Sequence, residues 1–207
     1  MKKIFIPAKS RDKLDKKSFS EISRTLPKNI AILYSIQYEP LAREIRGILR
    51  KRHKITKFSQ VLGCSKIFFE KSTQAILLIG SGRFHALSFV TSSNLPIYIY
   101  GQGKLIQLKE SEINLSKQRK RAAYLKFLNF NKIGVLVSTK PGQQNLVKAL
   151  KLKEKIKHTK QKQLYFFLGD VLSTQEFENF GLGSWINTAC PRLDMESSSI
   201  INISDLP

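Results

Sequence analysis

Short, unbroken apolar runs alternate along the chain with segments whose apolar residues recur every three or four positions. Continuous apolar runs are typical of strands in a parallel sheet that is covered on both faces. A first round of strands is predicted at residues 30–34, 54–58, 75–79 and 96–100, and a second round at 133–137, 164–168, 184–189 and 200–203. This order predicts an α/β fold built from βαβ units.

The periodic segments predict helices between these strands. Residues 40–51 carry Leu41, Ile45 and Leu49 at helical spacing, with arginines on the opposite side. Further helices are predicted at residues 66–72, 84–92, 110–130, 144–158 and 174–180.

The two rounds predict two similar domains, each a small parallel sheet of about four strands flanked by helices. We expect them at residues 29–115 and 116–207. Residues 1–28 contain one predicted strand at 3–7, a polar and basic segment and a short helical stretch. We expect this segment to be a remnant strand and a basic linker.

The strongly positive net charge suggests that the chain has an acidic partner. The 207 residues contain 36 Lys and Arg against 15 Asp and Glu, a formal net charge of +21. Such a field attracts polyanions, so nucleic acid is one hypothesis. The most basic helix, with seven lysines between residues 148 and 162, has no aromatic platform for stacking bases. A solvated surface or an acidic protein partner is therefore equally compatible.

Targeting signals are not visible in the sequence. Met1 and two lysines precede only three apolar residues before Pro7, which is too short for a signal-peptide core. No run approaches the ~18 apolar residues of a membrane span. We therefore expect a cytoplasmic protein without membrane contact.

The two cysteines, Cys64 and Cys190, each follow a predicted strand and lie beside Gly63 or Pro191. Two cysteines do not make a disulfide framework for a chain of this size, and inside a cell cysteine more often serves metal or redox chemistry. The pattern leaves two interpretations open. The thiols form a shared site, or they are unrelated buried residues, since free cysteine is among the most buried residue types.

Two loops with anion-binding character fall on the same predicted sheet edge as the cysteines, because right-handed crossovers place every βα loop there. In Gly80–His85, glycines allow close backbone approach, and a helix N-terminus with Arg83 favours an anion. In Ser138–Gln143, Lys140 offers positive charge and Gln143 both donates and accepts. An ordinary tight turn remains the alternative for both loops.

For three further residues, a purely structural role is an alternative to a functional one. His85 is a candidate base or ligand, or only a hydrogen-bonded side chain. Arg192 pairs with a carboxylate or a cluster sulfur, or caps the strand end. Trp185, the only tryptophan, is expected in the core.

Four segments together resemble the diphthamide synthase family. They are QVLGC at residues 60–64, IGSGRFH at 79–85, GVLVSTKPGQ at 134–143 and NTACPR at 187–192. Members of that family have three similar α/β domains, each giving one cysteine to a shared 4Fe-4S cluster. The resemblance covers the second and third domains. It implies Cys64 and Cys190 as cluster ligands, and Gly82, Arg83, Lys140 and Gln143 as contacts to S-adenosylmethionine.

The resemblance also implies an activity. A 3-amino-3-carboxypropyl group passes from S-adenosylmethionine to a histidine of translation elongation factor two by radical chemistry, which needs an electron donor. No catalytic residue is assigned. The family's first domain and its cysteine are missing from these residues, so we expect a separate chain, or a homo- or heterodimer partner, to supply them; a fragment or an inactive paralogue is the alternative. His53 or His85 is a less favoured third ligand. A non-catalytic partner subunit and a basic nucleic-acid-binding protein remain alternatives.

Overall fold

The computed structural model describes residues 8–206, apart from residues 63, 64, 66, 81, 82, 91, 92, 158–161 and 196. The chain divides into two compact units, Met1–Ile113 and Asn114–Pro207. Each unit contains one sheet with helices packed against it, as described in turn below.

The sheet of the first unit has five strands in the order β2-β1-β3-β4-β5. Strands β1 to β4 are parallel, and β5 pairs with β4 in the antiparallel sense. The strands are β1 (Asn29–Tyr34), β2 (Lys54–Gln60), β3 (Ala75–Ile79), β4 (Ile97–Gly101) and β5 (Lys104–Gln107). The helices are α1 (Lys16–Ile22), α2 (Glu39–Leu49), α3 (Arg83–Phe89) and α4 (Glu110–Asn129), the last of which continues into the second unit.

The central strands of the first unit are buried on both faces, as their continuous apolar sequences require. Helix α2 buries Leu41, Ile45 and Leu49 against one face. Asp15 caps the N-terminus of helix α1, because its carboxylate accepts from the backbone N–H groups of Lys17 and Ser18. Its Phe19 is fully buried and meets the Tyr100 ring edge-on. The segment before β1 therefore contributes to this core.

The sheet of the second unit has four parallel strands in the order β7-β6-β8-β9. The elements are β6 (Lys132–Ser138), α5 (Leu146–Lys157), β7 (Gln163–Gly169), β8 (Ser184–Asn187) and β9 (Ile200–Asn202). Trp185 is 1% exposed and packs among aromatic rings, including the stacked ring of Phe177. This confirms the predicted core position of the tryptophan.

Both sheets are built from parallel strands, apart from β5, and are flanked by helices, which confirms the predicted α/β fold class with local differences. Strand β5 was not predicted, because it is a short, mostly exposed edge strand. The helix predicted at residues 66–72 is wrong, since residues 67–70 have no regular structure. Residues Thr174–Phe180 form a 3-10 helix rather than an α-helix. The strand predicted at residues 3–7 lies outside the described residues.

Within the described residues, no helix combines the length and the apolar character that crossing a membrane requires.

Candidate functional site

Cys190 lies just beyond the carboxyl end of β8, at the edge of the second sheet. Asn187, the last residue of β8, is in register with Leu136 of β6. The next residue, Thr188, donates both its backbone N–H (3.1 Å) and its hydroxyl (2.7 Å) to the Leu136 carbonyl. The chain leaves the sheet there, and Cys190 follows as a partly exposed free thiol.

The backbone around Cys190 is held by the side chain of Asn187, which is 1% exposed. Its Nδ2 donates to the Cys190 carbonyl (2.8 Å), and its Oδ1 accepts from the Ala189 N–H (2.9 Å). The Leu193 N–H donates to the same Cys190 carbonyl at 3.2 Å, at the start of a 3-10 helix over Pro191–Met195. The backbone is therefore held at the Cys190 carbonyl and, one residue earlier, at the Ala189 N–H.

The loop after β6 lies at the same sheet edge. The Ser138 hydroxyl accepts from the Lys140 N–H (3.1 Å), and the Gln143 N–H donates to the Lys140 carbonyl (3.1 Å). Gly142 closes this turn at φ +81°, a conformation that favours glycine. The Lys140 side chain is exposed and Gln143 is half-buried.

Asn145 joins this loop to the Cys190 segment. Its Nδ2 donates to the Thr188 carbonyl (2.8 Å) and to the Gln143 carbonyl (3.3 Å). The structure thus brings Lys140, Gln143 and Cys190 to one edge of the second sheet. Binding of a cofactor by Lys140 and Gln143 stays a prediction.

A second polar layer lies behind the Cys190 segment. Asn202 of β9 accepts from Asn187 through Oδ1 (2.7 Å) and donates from Nδ2 to the Asp194 carboxylate (2.7 Å). Lys120 of α4 lies 3.8 Å from Asp194 and 3.1 Å from Asp205.

Burial raises the pKa of Asp194 to about 6. The nearby charge of Lys120 and the hydrogen bond from Asn202 lower this pKa and only partly offset the burial, while Asp205 raises it further. The carboxyl of Asp194 is therefore costly to ionise in the folded chain.

Sequence reasoning assigned no role to Asn145, Asn187, Asp194 or Asn202. Asn187 carried a usable signal. An asparagine that ends a strand just before a turn commonly bonds to backbone groups a few residues further on. Asn202 carried none, because only the folded sheet brings β9 beside β8.

In the first unit, Arg83 begins α3 and forms an ion pair with Glu112. The Arg83 side chain is 62% exposed, and the other Glu112 oxygen accepts from the Lys109 N–H at 3.0 Å. His85 is half-buried, and burial lowers its pKa. Gly82, predicted beside Arg83 as a cofactor contact, lies outside the described residues.

Cys64 also lies outside the described residues. The described residues around it continue from β2. The Val61 N–H donates to the Tyr34 carbonyl of β1 (2.8 Å), the Leu62 N–H to the Ser65 hydroxyl (2.8 Å), and the Ser65 N–H to the Leu62 carbonyl (3.0 Å). In the part of the chain that the structure describes, no three His, Cys, Asp or Glu side chains group as a metal site. The predicted pairing of Cys64 with Cys190 thus stays a prediction.

The fold and the site define a protein with two α/β units, each with a mainly parallel sheet, and a cysteine anchored at the carboxyl edge of one sheet, where ligands bind in such folds. The model of the diphthamide synthesis protein family matches residues 1–199, and the chain belongs to this family. This confirms the resemblance of the four sequence segments.

The curated relatives described below are all named 2-(3-amino-3-carboxypropyl)histidine synthase or a subunit of it. The chain is 26% identical over 207 residues to the 2-(3-amino-3-carboxypropyl)histidine synthase of Pyrococcus horikoshii, covering 93% of this chain and 59% of that protein. It is 31% identical over 155 residues to the synthase of Methanocaldococcus jannaschii, covering 69% and 42%. Subunit 1 of the synthase of Yarrowia lipolytica is 26% identical over 180 residues, covering 81% and 41%. The chain therefore spans three fifths or less of these relatives.

Two solved structures share the fold. The crystal structure of Dph2 from Pyrococcus horikoshii superposes with a TM-score of 0.73 at 20% identity, covering 92% of this chain and 59% of that one. The structure of the same protein with a 4Fe-4S cluster gives a TM-score of 0.72 at 20% identity, with the same coverage.

Proposed function

We propose that this chain is the part of a diphthamide synthase that corresponds to its second and third domains, meeting near residue 115. In this proposal the enzyme transfers a 3-amino-3-carboxypropyl group from S-adenosylmethionine to a histidine of translation elongation factor two in the cytoplasm. Family membership and the shared name of the relatives support the proposal. The position of Cys190 on a fixed loop at the carboxyl sheet edge is the observation that carries it.

Cys64 and Cys190 are proposed as thiolate ligands of a 4Fe-4S cluster. Thiolate is the ligand that holds such clusters, and the partly exposed Cys190 presents one from an anchored backbone. The sequence contains two cysteines, so a third thiolate has to come from outside these 207 residues. We assign it to a partner chain that carries the family's first domain. The Pyrococcus horikoshii Dph2 structure with a 4Fe-4S cluster supports the choice of cluster.

When bound, the cluster would pass an electron from an external donor to S-adenosylmethionine. The residues of this chain would bind and orient the methionine part of that molecule. Lys140 offers its ammonium group to the carboxylate, and Gln143 offers an amide that both donates and accepts. Their place on the loop that Asn145 ties to the Cys190 segment supports this assignment. Gly82 and Arg83 are assigned the corresponding role in the first unit.

Anaerobic reconstitution tests this function. The chain is combined with a chain carrying the family's first domain, iron, sulfide and a reductant, and then supplied with S-adenosylmethionine labelled in its aminocarboxypropyl group and elongation factor two. We expect labelled factor and bound iron from the native chain, and loss of both with Cys64→Ala or Cys190→Ala. Lys140→Met should weaken S-adenosylmethionine binding and leave the iron content unchanged.

Two results would contradict the proposal. Full transfer by both cysteine variants would exclude the cluster role of these residues. No iron binding by the native complex would exclude the enzyme hypothesis. If factor modification needs this chain but tolerates both cysteine substitutions, the non-catalytic partner subunit becomes the better interpretation.

A further inference from the structure

Three polar side chains of the second unit are hydrogen-bonded in a row that leads to the backbone of Cys190. They are Asp194, Asn202 and Asn187, joined by hydrogen bonds of 2.7 Å each. Asn187 and Asn202 are 1% and 4% exposed, and the Asp194 side chain is 12% exposed. Buried polar groups at this depth need their partners, because a half-satisfied network is costly.

The carboxylate of Asp194 decides which side chain donates and which accepts in this row of hydrogen bonds. An ionised carboxylate only accepts, so the Asn202 amide turns its Nδ2 toward Asp194 and its Oδ1 toward Asn187. Asn187 must then present Nδ2 to Asn202. The same Nδ2 donates to the Cys190 carbonyl, and Oδ1 is left to accept from Ala189. The orientation of Asn187 that its two backbone partners require is therefore the same one that the charge two side chains away favours.

Further contacts anchor this arrangement. Asn202 also donates to the Pro191 carbonyl at 3.3 Å, on the residue after the cysteine. Lys120 supplies a positive charge from α4 to both Asp194 and Asp205. Residues of strand β9 and helix α4 therefore hold the loop that carries Cys190, while the Cys190 residue itself stays partly exposed.

We propose that Asn202 and Asp194 are positioning residues for Cys190, because they orient the Asn187 amide that holds the backbone at and just before the cysteine. The purpose of this positioning, presenting a thiolate to a metal cluster, rests on the proposed function. The positioning itself is a property of the metal-free chain and is measured there.

The test is the rate at which Cys190 reacts with iodoacetamide in the reduced, metal-free full chain, followed by peptide mass spectrometry. The Cys64 peptide serves as the internal reference. Asp194→Leu removes the acceptor of the Asn202 Nδ2, and Asn202→Asp places two carboxylates face to face. We expect either variant to change the Cys190 rate by about three- to tenfold, the factor that corresponds to losing one such hydrogen bond.

A reciprocal exchange separates positioning from general damage. In the double variant Asp194→Asn with Asn202→Asp, the carboxylate at 202 accepts from Asn187 and from the amide at 194, so Asn187 keeps its orientation. We expect the Cys190 rate to move back toward the native value but to stop short of it, because a carboxylate at 202 cannot donate to the Pro191 carbonyl as Asn202 does. The control is Ser184→Ala at the opposite end of β8, whose buried hydroxyl has no hydrogen-bond partner among the described residues. In this control variant, Cys190 should react with iodoacetamide at the native rate.

Native Cys190 rates in both single variants would overturn the proposal. So would a double variant that remains as altered as the single ones, since that result indicates loosened structure and not lost orientation. If the rates behave as expected but the reconstituted complex binds no iron, the positioning stands and the proposed function fails.

Discussion

Asp194 is a mostly buried carboxyl whose ionisation makes the stability of the second unit depend on pH. Its pKa of about 6 lies above the ordinary value of 3.8 that it regains on unfolding. The folded chain therefore binds the proton more tightly, and the cost of burying the carboxylate is fully present above pH 6. This cost is relieved as pH falls from about 6 to about 4, and it amounts to about 3 kcal/mol.

Asp194→Asn removes this titration and leaves the neighbouring charges, Lys120 and Asp205, in place. The free energy of unfolding of the native chain, relative to the variant, should rise as pH falls from 7 to 4. Urea unfolding followed by the fluorescence of Trp185, the only tryptophan, reports on the second unit. A difference that stays constant over this range would show that the folded pKa of Asp194 is not raised.

Gly134 of β6 is required by the ring of Trp185 on the neighbouring strand. A Cβ at this position would overlap the six-membered part of the indole. Gly134→Ala should therefore destabilise the second unit by about 1–3 kcal/mol, as overpacking a core does. The control is Gly47→Ala within α2, where a Cβ meets nothing within 4 Å. That change should be neutral or stabilise by up to ~1 kcal/mol. Thermal unfolding by circular dichroism compares the two, and equal effects would contradict the packing argument.

Among the secondary structure elements, the end of α4 depends on a lysine that is distant in sequence. The Lys162 ammonium donates to the carbonyls of Phe127 (2.6 Å), Leu128 (3.0 Å) and Phe130 (3.1 Å). It also lies 4.9 Å from the centre of the Phe127 ring. The last carbonyls of a helix have no partner within the helix and carry partial negative charge. Lys162 supplies the donors they need, even though burial lowers its pKa.

Lys162→Met keeps most of the apolar stem and removes the charge. We expect a loss of about 1–2 kcal/mol in the unfolding free energy of the second unit. Lys155→Met on the exposed side of α5 is the matched control and should stay within about 0.5 kcal/mol of the native chain. Urea unfolding by Trp185 fluorescence measures both. A Lys162→Met chain as stable as the control would show that the cap contributes nothing.

The elements also show what the sequence pattern could and could not predict. Strands such as β1 and β3 and the helix α2 were predicted because burial imposes their apolar patterns. Strand β5 was missed because an exposed edge strand needs no such pattern, and the hairpin depends on positive φ at Gln102 and Gly103. A short helix was predicted over residues 66–72, but the described residues 67–70 form none.

The same limit applies to the candidate site. Parallel strands place their following loops at one edge, so the approach of Lys140, Gln143 and Cys190 could be predicted. The bonds between Asn187, Asn202 and Asp194 could not, because they depend on where β9 and the 3-10 helix pack.

For the whole molecule, the net charge of +21 favours an acidic partner. Helix α5 concentrates this charge, with exposed Lys151, Lys153 and Lys155 beside the exposed apolar side chains of Val147 and Leu150. The proposed function predicts that Lys151→Gln with Lys155→Gln slows association with elongation factor two by about threefold or more at low salt, with the difference shrinking as salt screens the field.

Stopped-flow mixing of the reconstituted complex with the factor measures this effect. Lys13→Gln with Lys16→Gln, on the segment before β1, removes the same charge elsewhere and is the control. Equal slowing by both pairs would show that only net charge matters. Tight, strongly salt-dependent binding of RNA that competes with the factor would instead favour the nucleic-acid interpretation.

The proposed function depends on whether Cys190 holds iron. The measurement is the iron and sulfide content of the anaerobically reconstituted complex with the first-domain chain, compared between native chain, Cys190→Ser and Ser184→Ala. A cluster role predicts one 4Fe-4S cluster per complex for the native chain and for Ser184→Ala, and loss of most of the iron for Cys190→Ser. Native iron content in Cys190→Ser would contradict the assignment of this thiol as a cluster ligand.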